Sequence, residues 1–250
     1  LLTVLYFDTM RGSGGSSEEF TTDRFIMSKG HAAMAWYATL AERGYFAEEL
    51  LETYAQDGSR LGEHPSRHCV PGIDVSTGSL GHGLGIGLGR GYSARQQRMP
   101  HRVFVLLSDG ECEEGSVWES AMVAAHQRLD NLIALVDYNK IQATGFTDET
   151  SSLAPLAEKW RAFGWEVRET GGHDIESLRA CLAEVPFRAG QPSAILAHTV
   201  KGKGVSFMEN DVEWHYRSPD VDELADALTE LEQSCPGLWS KPVVVASFRP

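Results

Sequence analysis

An α/β fold, with a mostly parallel sheet and helices on both faces, is the class this sequence predicts, on three observations. Two short, continuous apolar runs, Val103–Ser108 and Leu132–Tyr138, read as strands covered on both faces. Between them, Ser116–Leu129 places Val117, Ala121, Ala124 and Ala125 at helical spacing. Strand-like and helix-like segments go on alternating afterwards, the pattern of right-handed crossovers in a parallel sheet.

The remaining elements follow in order. Thr9–Thr22 is rich in Gly and Ser and reads as a loop (residues 9–22). A core over residues 23–200 opens with Asp23–Phe46, which has helical spacing and stops at Gly44. It continues through the glycine-dominated Gly62–Gly91 and the two strands. Leu153–Phe163 is then predicted helical, Trp165–Val167 a strand, Ile175–Leu182 a helix and Ser193–Val200 a strand. Residues 201–250 form a last loop and a tail with one amphipathic helix, Val221–Gln233. The apolar end Lys241–Pro250 either packs on the core or pairs with something outside the chain. No internal repeat is present, and 1–250 reads as a single domain.

Composition narrows the function classes. The 250 residues carry a formal net charge of −13, which argues against nucleic acid as the main partner. A small phosphorylated ligand needs only a local cluster of donors and stays allowed. Cys69, Cys112, Cys181 and Cys235 are widely spaced with no C-x-x-C pair, so a reducing cytoplasmic setting is expected rather than a disulfide scaffold. No apolar run approaches the ~20 residues that span a bilayer, so no membrane partner is expected. Leu1–Phe7 lacks the flanks of a signal peptide and reads as the middle of a helix, so the true start is expected upstream.

Glycines at alternate positions from Gly81 to Gly91 imitate a dinucleotide loop, but G-x-G-x-x-G fails, with Ile86 or Leu88 in the sixth place. Nor does the Gly202-Lys203-Gly204 segment complete a P-loop. On a helix, Gly81, Gly85 and Gly89 form a stripe that allows close approach of another backbone. Each glycine costs a helix about 1 kcal/mol, so the stripe predicts tight packing, against the helix after Asp109 or across a subunit interface.

Chemistry concentrates where the two apolar strands end. Asp109-Gly110 follows the first and Asn139 closes the second, one βαβ unit apart. In parallel sheets ligands sit beyond the carboxyl ends of the strands. An Asp carboxylate, an Asn amide oxygen and a backbone carbonyl are hard oxygen donors suited to Mg²⁺ or Ca²⁺, with water and diphosphate oxygens completing the shell. The competing account is local: Asp109 caps the next helix and Asn139 makes a turn.

This arrangement resembles the metal and diphosphate motif of thiamine-diphosphate enzymes, and the flanking segments resemble transketolase. They are SKGHA (Ser28–Ala32), GEHP (Gly62–Pro65), STGSLGHGLG (Ser76–Gly85), SDGECEEGSVWE (Ser108–Glu119), DYNKIQ (Asp137–Gln142) and KGKGVSFMENDVEWH (Lys201–His215), in family order. The resemblance implies the family's diphosphate-binding fold, thiamine diphosphate and Mg²⁺ (or Ca²⁺) as cofactors, and transfer of a two-carbon ketol unit from a ketose or ketose phosphate to an aldehyde or specialised acceptor. It makes Asp109, Asn139 and the Ile141 carbonyl the metal ligands, with Gly110, Asn139 and Lys201 near the diphosphate. Gly78, Ser79 and Leu80 match the turn against the cofactor, and His31, His64 and His215 match histidines facing the thiazolium and sugar. Glu114 matches a buried glutamate that communicates with a partner's catalytic glutamate. The cofactor is the electron sink, while neutral imidazoles exchange protons near pH 7. The other histidines, His68, His82, His101, His126, His173 and His198, read as ordinary structural or surface groups.

The family shares its site between two domains, and too few residues follow His215 for the second. The resemblance therefore implies a split transketolase. A partner chain would carry the pyrimidine-binding and C-terminal domains, the assembly would be α₂β₂, and this chain alone would be inactive. Departures are Ser108 for the usual glycine, His82 for a common glutamine and Tyr216-Arg217 in place of the usual glycine after His215, while the family's His-containing N-terminal segment is expected to have been trimmed ahead of Leu1. Two other readings compete: the α subunit of a thiamine-dependent 2-oxo acid decarboxylase or dehydrogenase, and a degenerate, non-catalytic half. The histidines of SKGHA and EWH disfavour the first, and intact Asp109, Asn139 and His31 disfavour the second.

Overall fold

The structure is a computed structural model that describes residues 1–12 and 22–237. A short helix α1 (Leu2–Val4) runs into a π-helical turn (Leu5–Thr9), followed by strand β1 (Arg24–Met27) and helix α2 (Ala33–Glu42). Then come α3 (His82–Gln96), β2 (Val103–Ser108), α4 (Gly115–His126) and β3 (Leu132–Tyr138). A two-residue hairpin, β4 (Ile141–Gln142) and β5 (Gly145–Phe146), leads to α5 (Thr147–Thr150) and α6 (Leu156–Ala162). The order closes with β6 (Glu166–Gly171), α7 (Ile175–Ala183), β7 (Ser193–His198) and α8 (Val221–Ser234).

Five strands form one parallel sheet in the order β1-β2-β3-β7-β6. Side chains alternate between its faces, as strand geometry requires. Phe104, Leu106, Ile133, Leu135 and Ile195 pack under Val4, Trp36, Leu40, Leu178 and Leu182. Val103, Val105, Leu107, Leu132, Ala134 and Val136 pack under Leu84, Val117, Ala121, Leu156 and Trp160. Helices α1, α2 and α7 thus cover one face and α3, α4 and α6 the other. Both faces being dry explains why β2 and β3 are apolar without a break.

Most expected elements stand within a few residues. The exception is Asp23–Phe46, which is not one helix: Arg24–Met27 is an edge strand paired with β2, and helix α2 begins only at Ala33. Four residues leave too short a run to separate from the helix that follows. α6 starts after Pro155, later than Leu153, because the residue before a proline disfavours helix. β6 runs to Gly171, beyond the expected Val167. Part of the 9–22 loop and the segment Lys241–Pro250 lie outside the described residues. No helix among the described residues is long and apolar enough to cross a membrane.

Two of the three stripe glycines pack within the chain. A Cβ at Gly81 would sit 2.5 Å from Ser116 Oγ and one at Gly85 3.2 Å from Ser120 Oγ, both on α4, while Gly89 has nothing within 4 Å. The alternate glycines face inward: Gly83 lies against Ser28, and a Cβ at Gly87 would come 2.5 Å from Val105 Cγ2. Helix α3 therefore seats on β1 and β2 through one set of glycines and on α4 through the other. Gly87→Ala should lower stability by about 1–3 kcal/mol through overpacking. Gly89→Ala should raise it by about 0.5–1 kcal/mol through helix propensity. Thermal melts of the two variants should therefore move in opposite directions.

At the amino end of the sheet Asp23, 3% exposed, accepts from Arg11 N (3.0 Å) and Arg102 N (2.8 Å). Both guanidinium groups also reach it, at 2.8 and 2.6 Å. Burial pushes its carboxyl up, but the bonds from Arg11 and Arg102 outweigh that and hold it below the usual value. Its stabilisation is therefore present above the unfolded value of about 3.9 and lost as pH falls through the lower folded value. Asp23→Asn should cost about 3 kcal/mol at neutral pH. The gap from wild type should narrow below about pH 4, as followed by denaturant melts across pH.

Candidate active site

A cleft of about 1340 Å³ opens at the carboxyl ends of the strands. All five strand tips contribute: Lys29 after β1, Ser108 and Gly110 at β2, Asn139 after β3, Gly172 and His173 after β6, and Thr199–Lys201 after β7. This is where parallel sheets present ligand sites.

β2 and β3 are direct neighbours, with Ser108 opposite Asp137. Asp109 is fully buried beneath the cleft floor. Its carboxylate accepts from Gly110 N at 2.8 Å and from the backbone N–H of Lys140, beside Asn139. One side chain therefore ties the two strand tips together. Asn139 Oδ1 accepts from Ile141 N at 2.9 Å, so the local account holds as well: Asp109 caps a turn and Asn139 makes one. Each oxygen has a second lone pair, so turn and ligand roles are compatible.

The charge balance favours a cation. Burial is the main cause that raises the Asp109 carboxyl to about 6; backbone bonds from Gly110 and Lys140 oppose it, Asp137 adds to it, and Lys29 opposes it. Asp109 makes no ion pair among the described residues, and buried charges are normally paired or metal-bound. No cluster of three His, Cys, Asp or Glu side chains suited to a metal occurs among the described residues. One carboxylate, an amide oxygen and a carbonyl, completed by phosphate oxygens, instead match a hard cation such as Mg²⁺. The donor set fits the group.

Beside the Asp109 and Asn139 turns, Asp137 is ion-paired with Lys29 and accepts from Thr199 Oγ1. Burial raises its carboxyl, but Lys29 and Thr199 outweigh this and lower it. Lys201 lines the same cleft, its ammonium pushed down chiefly by burial and by Lys29. Two lysines thus face the floor where an anionic ligand would sit.

The three expected histidines line the same cleft. His31 and His215 stand with ring centroids 5.5 Å apart, and His64 lines the cleft over Gly78. His31 is open to the cleft on one side, yet crowding by the walls is the first cause lowering it to about 4, with Lys29, His215, Lys201 and His64 adding to it. His215 is lowered by burial and then by Lys201 and Lys29. Its Nδ1 is buried without a hydrogen-bond partner among the described residues. Both rings are neutral at pH 7.

The loop carrying Lys201 and His215 is folded on itself. Gly202 has φ +75° and lies against Met208, Asn210 N donates to Lys201 O (3.0 Å), and Trp214 Nε1 donates to Phe207 O (2.9 Å). A 3-10 turn, Val212–His215, capped by Asp211, then points His215 inward.

The structure brings together nearly all the expected site residues. Gly78 and Leu80 line the cleft, and Ser79 between them is exposed. The Ile141 side chain is buried at the rim. Glu114, expected to be buried where it meets a partner, is exposed on this chain taken alone, at the residue before α4. The buried glutamate of that turn is Glu111, one helical turn inward. Sequence reasoning passed over Lys29, whereas His173, read as a structural group, is one: its Nε2 accepts from Val200 N at 2.7 Å and braces the segment leading to Lys201. Tyr216 is 78% exposed and meets His215 edge-on at 4.9 Å.

Residues 2–233 match the family model described as transketolase, thiamine diphosphate binding domain. The chain belongs to the transketolase family. Among relatives it is 40% identical over 233 residues to an apulose-4-phosphate transketolase subunit of Phocaeicola vulgatus, covering 93% of this chain and 83% of that one. It is likewise 40% identical to a 6-deoxy-6-sulfo-D-fructose transketolase subunit of a Clostridium species, over 93% and 85% of the two chains. The transketolase structure from Leishmania mexicana superposes with TM-score 0.74 at 27% identity; 93% of this chain matches 40% of that longer one. The expected family and fold, including thiamine diphosphate as the ligand of its domain, are borne out.

The neutral histidines are directly measurable in this transketolase domain. In proton NMR titrations of the full chain, His31 should titrate near pH 4, well below the unperturbed value of about 6.5. A midpoint at 6 or above for His31 would contradict the crowding described here.

Proposed function

We propose that this chain is the diphosphate-binding subunit of a two-component transketolase, which transfers a two-carbon ketol unit from a ketose or ketose phosphate to an aldehyde acceptor. The observation that carries it is one cleft with two unlike sets of groups. A buried carboxylate and an amide sit at neighbouring strand tips, and two neutral histidine rings face each other 5.5 Å apart. Thiamine diphosphate, when bound, supplies the electron sink for breaking and making the carbon–carbon bond.

The chain's own residues hold and orient. Asp109, Asn139 and the Ile141 carbonyl hold Mg²⁺ through hard oxygens, and Gly110 lets backbone come close to a phosphate. Lys201 places positive charge beside the diphosphate. Gly78, Ser79 and Leu80 form the turn against the cofactor, and Gly78 leaves room for the His64 ring, which a Cβ would meet at 3.3 Å. His31, His64 and His215 bind sugar hydroxyls. A neutral imidazole accepts a hydroxyl proton near pH 7, which a ring already protonated at that pH would not do. Glu114, exposed on this chain, is the residue that communicates with a catalytic glutamate of the second chain.

The relatives' names designate them as subunits, and a second chain is part of this reading. That chain supplies the pyrimidine-binding and C-terminal transketolase domains, in an α₂β₂ assembly. Tyr216, where the resemblance expects glycine, stands beside His215 and alters the wall next to the substrate.

The test is an assay of the purified chain with and without the co-expressed partner, using thiamine diphosphate, Mg²⁺ and a ketose phosphate donor. Turnover should require both chains and vanish with EDTA. Asp109→Asn should abolish it while the melting curve still shows a folded chain. Turnover by the single chain, or undiminished turnover by the variant, would refute the assignment.

A further inference from the structure

The most densely bonded side chain at the site is one that the proposed reaction does not use. Glu111 is fully buried at the back of the cleft. Its Oε1 accepts from Ser28 Oγ and from Gly81 N (2.7 Å), and its Oε2 accepts from Ser108 N (3.2 Å). Each partner lies on a different segment, Ser28 just after β1, Gly81 just before α3 and Ser108 at the end of β2, and each segment carries a proposed site residue within a few positions. Ser28 precedes His31, Gly81 follows the Gly78–Leu80 turn, and Ser108 precedes Asp109 and Gly110.

The surrounding backbone is shaped to admit this carboxylate. A side chain at Gly83 would overlap Ser28, so glycine there leaves Ser28 free to reach Glu111. Gly81 has φ +83°, and a Cβ there would strike Ser116 and Glu114. Its carbonyl accepts from Ser116 Oγ at 2.9 Å, so the turn is held from both sides. At the third segment, Ser108 returns a bond, its Oγ accepting from Glu111 N at 3.2 Å.

We propose that Glu111 is a positioning residue: its carboxylate knots the His31 loop, the Gly78–Leu80 turn and the Asp109 turn into one preorganised surface for thiamine diphosphate. This rests on the function proposed above and deepens it. Removal of the knot lets the three segments move independently while the sheet below stays intact. Gln at this position keeps one oxygen for Ser28 and Gly81 but turns a donor toward Ser108 N, so it should free the Asp109 turn alone.

The experiment compares wild-type full chain with Glu111→Ala, Glu111→Gln and Ser28→Ala. It reads amide exchange by NMR, and binding of thiamine diphosphate with Mg²⁺ by calorimetry in the presence of the partner. In Glu111→Ala, Gly81 and Ser108 amides should exchange at least about tenfold faster with β3 unchanged, and affinity should fall by about 10–100-fold, as for other outer-shell partners. In Glu111→Gln only Ser108 should lose protection, with a smaller loss of affinity. Wild-type affinity in Glu111→Ala would overturn the proposal. So would identical behaviour of the Gln and Ala variants with faster exchange throughout the sheet, which marks a purely structural role. If Glu111→Ala fails to fold, Ser28→Ala decides: a several-fold loss of affinity supports the knot and none overturns it. Absence of binding by the wild-type complex would instead refute the proposed function, and the exchange pattern would still test the knot.

Discussion

A carboxylate taken out of water at the tip of a central strand is the constraint around which this cleft is arranged. Asp109 reaches that place because β2 is buried on both faces, so its chain emerges in the middle of the sheet. Two backbone N–H groups meet it, one from its own turn and one from the tip of β3. They do not cancel its charge, and its proton affinity is accordingly raised. A divalent cation beside it would supply that charge and would bring phosphate oxygens with it. Lys29 and Lys201 add positive charge to the cleft, and that charge, after burial, helps to hold His31 and His215 below the usual imidazole value. One cleft thus combines anion-holding groups with proton-exchanging rings.

Close backbone approach makes this combination possible. Glycines on two sides of α3 let it lie against β1, β2 and α4 without side chains intervening. Its amino end is thereby brought to Glu111, and the turn before it to His64. Larger residues would lift that turn away from the floor. Helix propensity is thus given up along α3 in exchange for contact distance at the site.

Much of this was legible in the sequence, for reasons that are themselves physical. β2 and β3 were plain because dry strands carry uninterrupted apolar runs, and Asp109 and Asn139 followed from the rule that loops at their carboxyl ends bear ligands. The glycine stripe correctly pointed to tight packing on the helix after Asp109, but not to the second set of glycines seated on the sheet. β1 was hidden because four residues share their apolar pattern with the helix beyond. Glu111 was hidden for another reason: the resemblance pointed to Glu114 in Glu111-Cys112-Glu113-Glu114, and only the 3-10 turn at Gly110–Glu113 decides which member faces inward. His173 carries no spacing signal, because its partner is a backbone amide two residues past the end of β7.

The central claim is that the tips of β2 and β3 jointly hold a divalent ion together with a diphosphate. Paramagnetic broadening tests it most directly, with Mn²⁺ added to the ¹⁵N-labelled chain in the presence of thiamine diphosphate and the partner. Signals of residues 109–110 and 139–141 should disappear first and return when excess Mg²⁺ competes. Broadening centred elsewhere, or confined to one of the two tips, would contradict it.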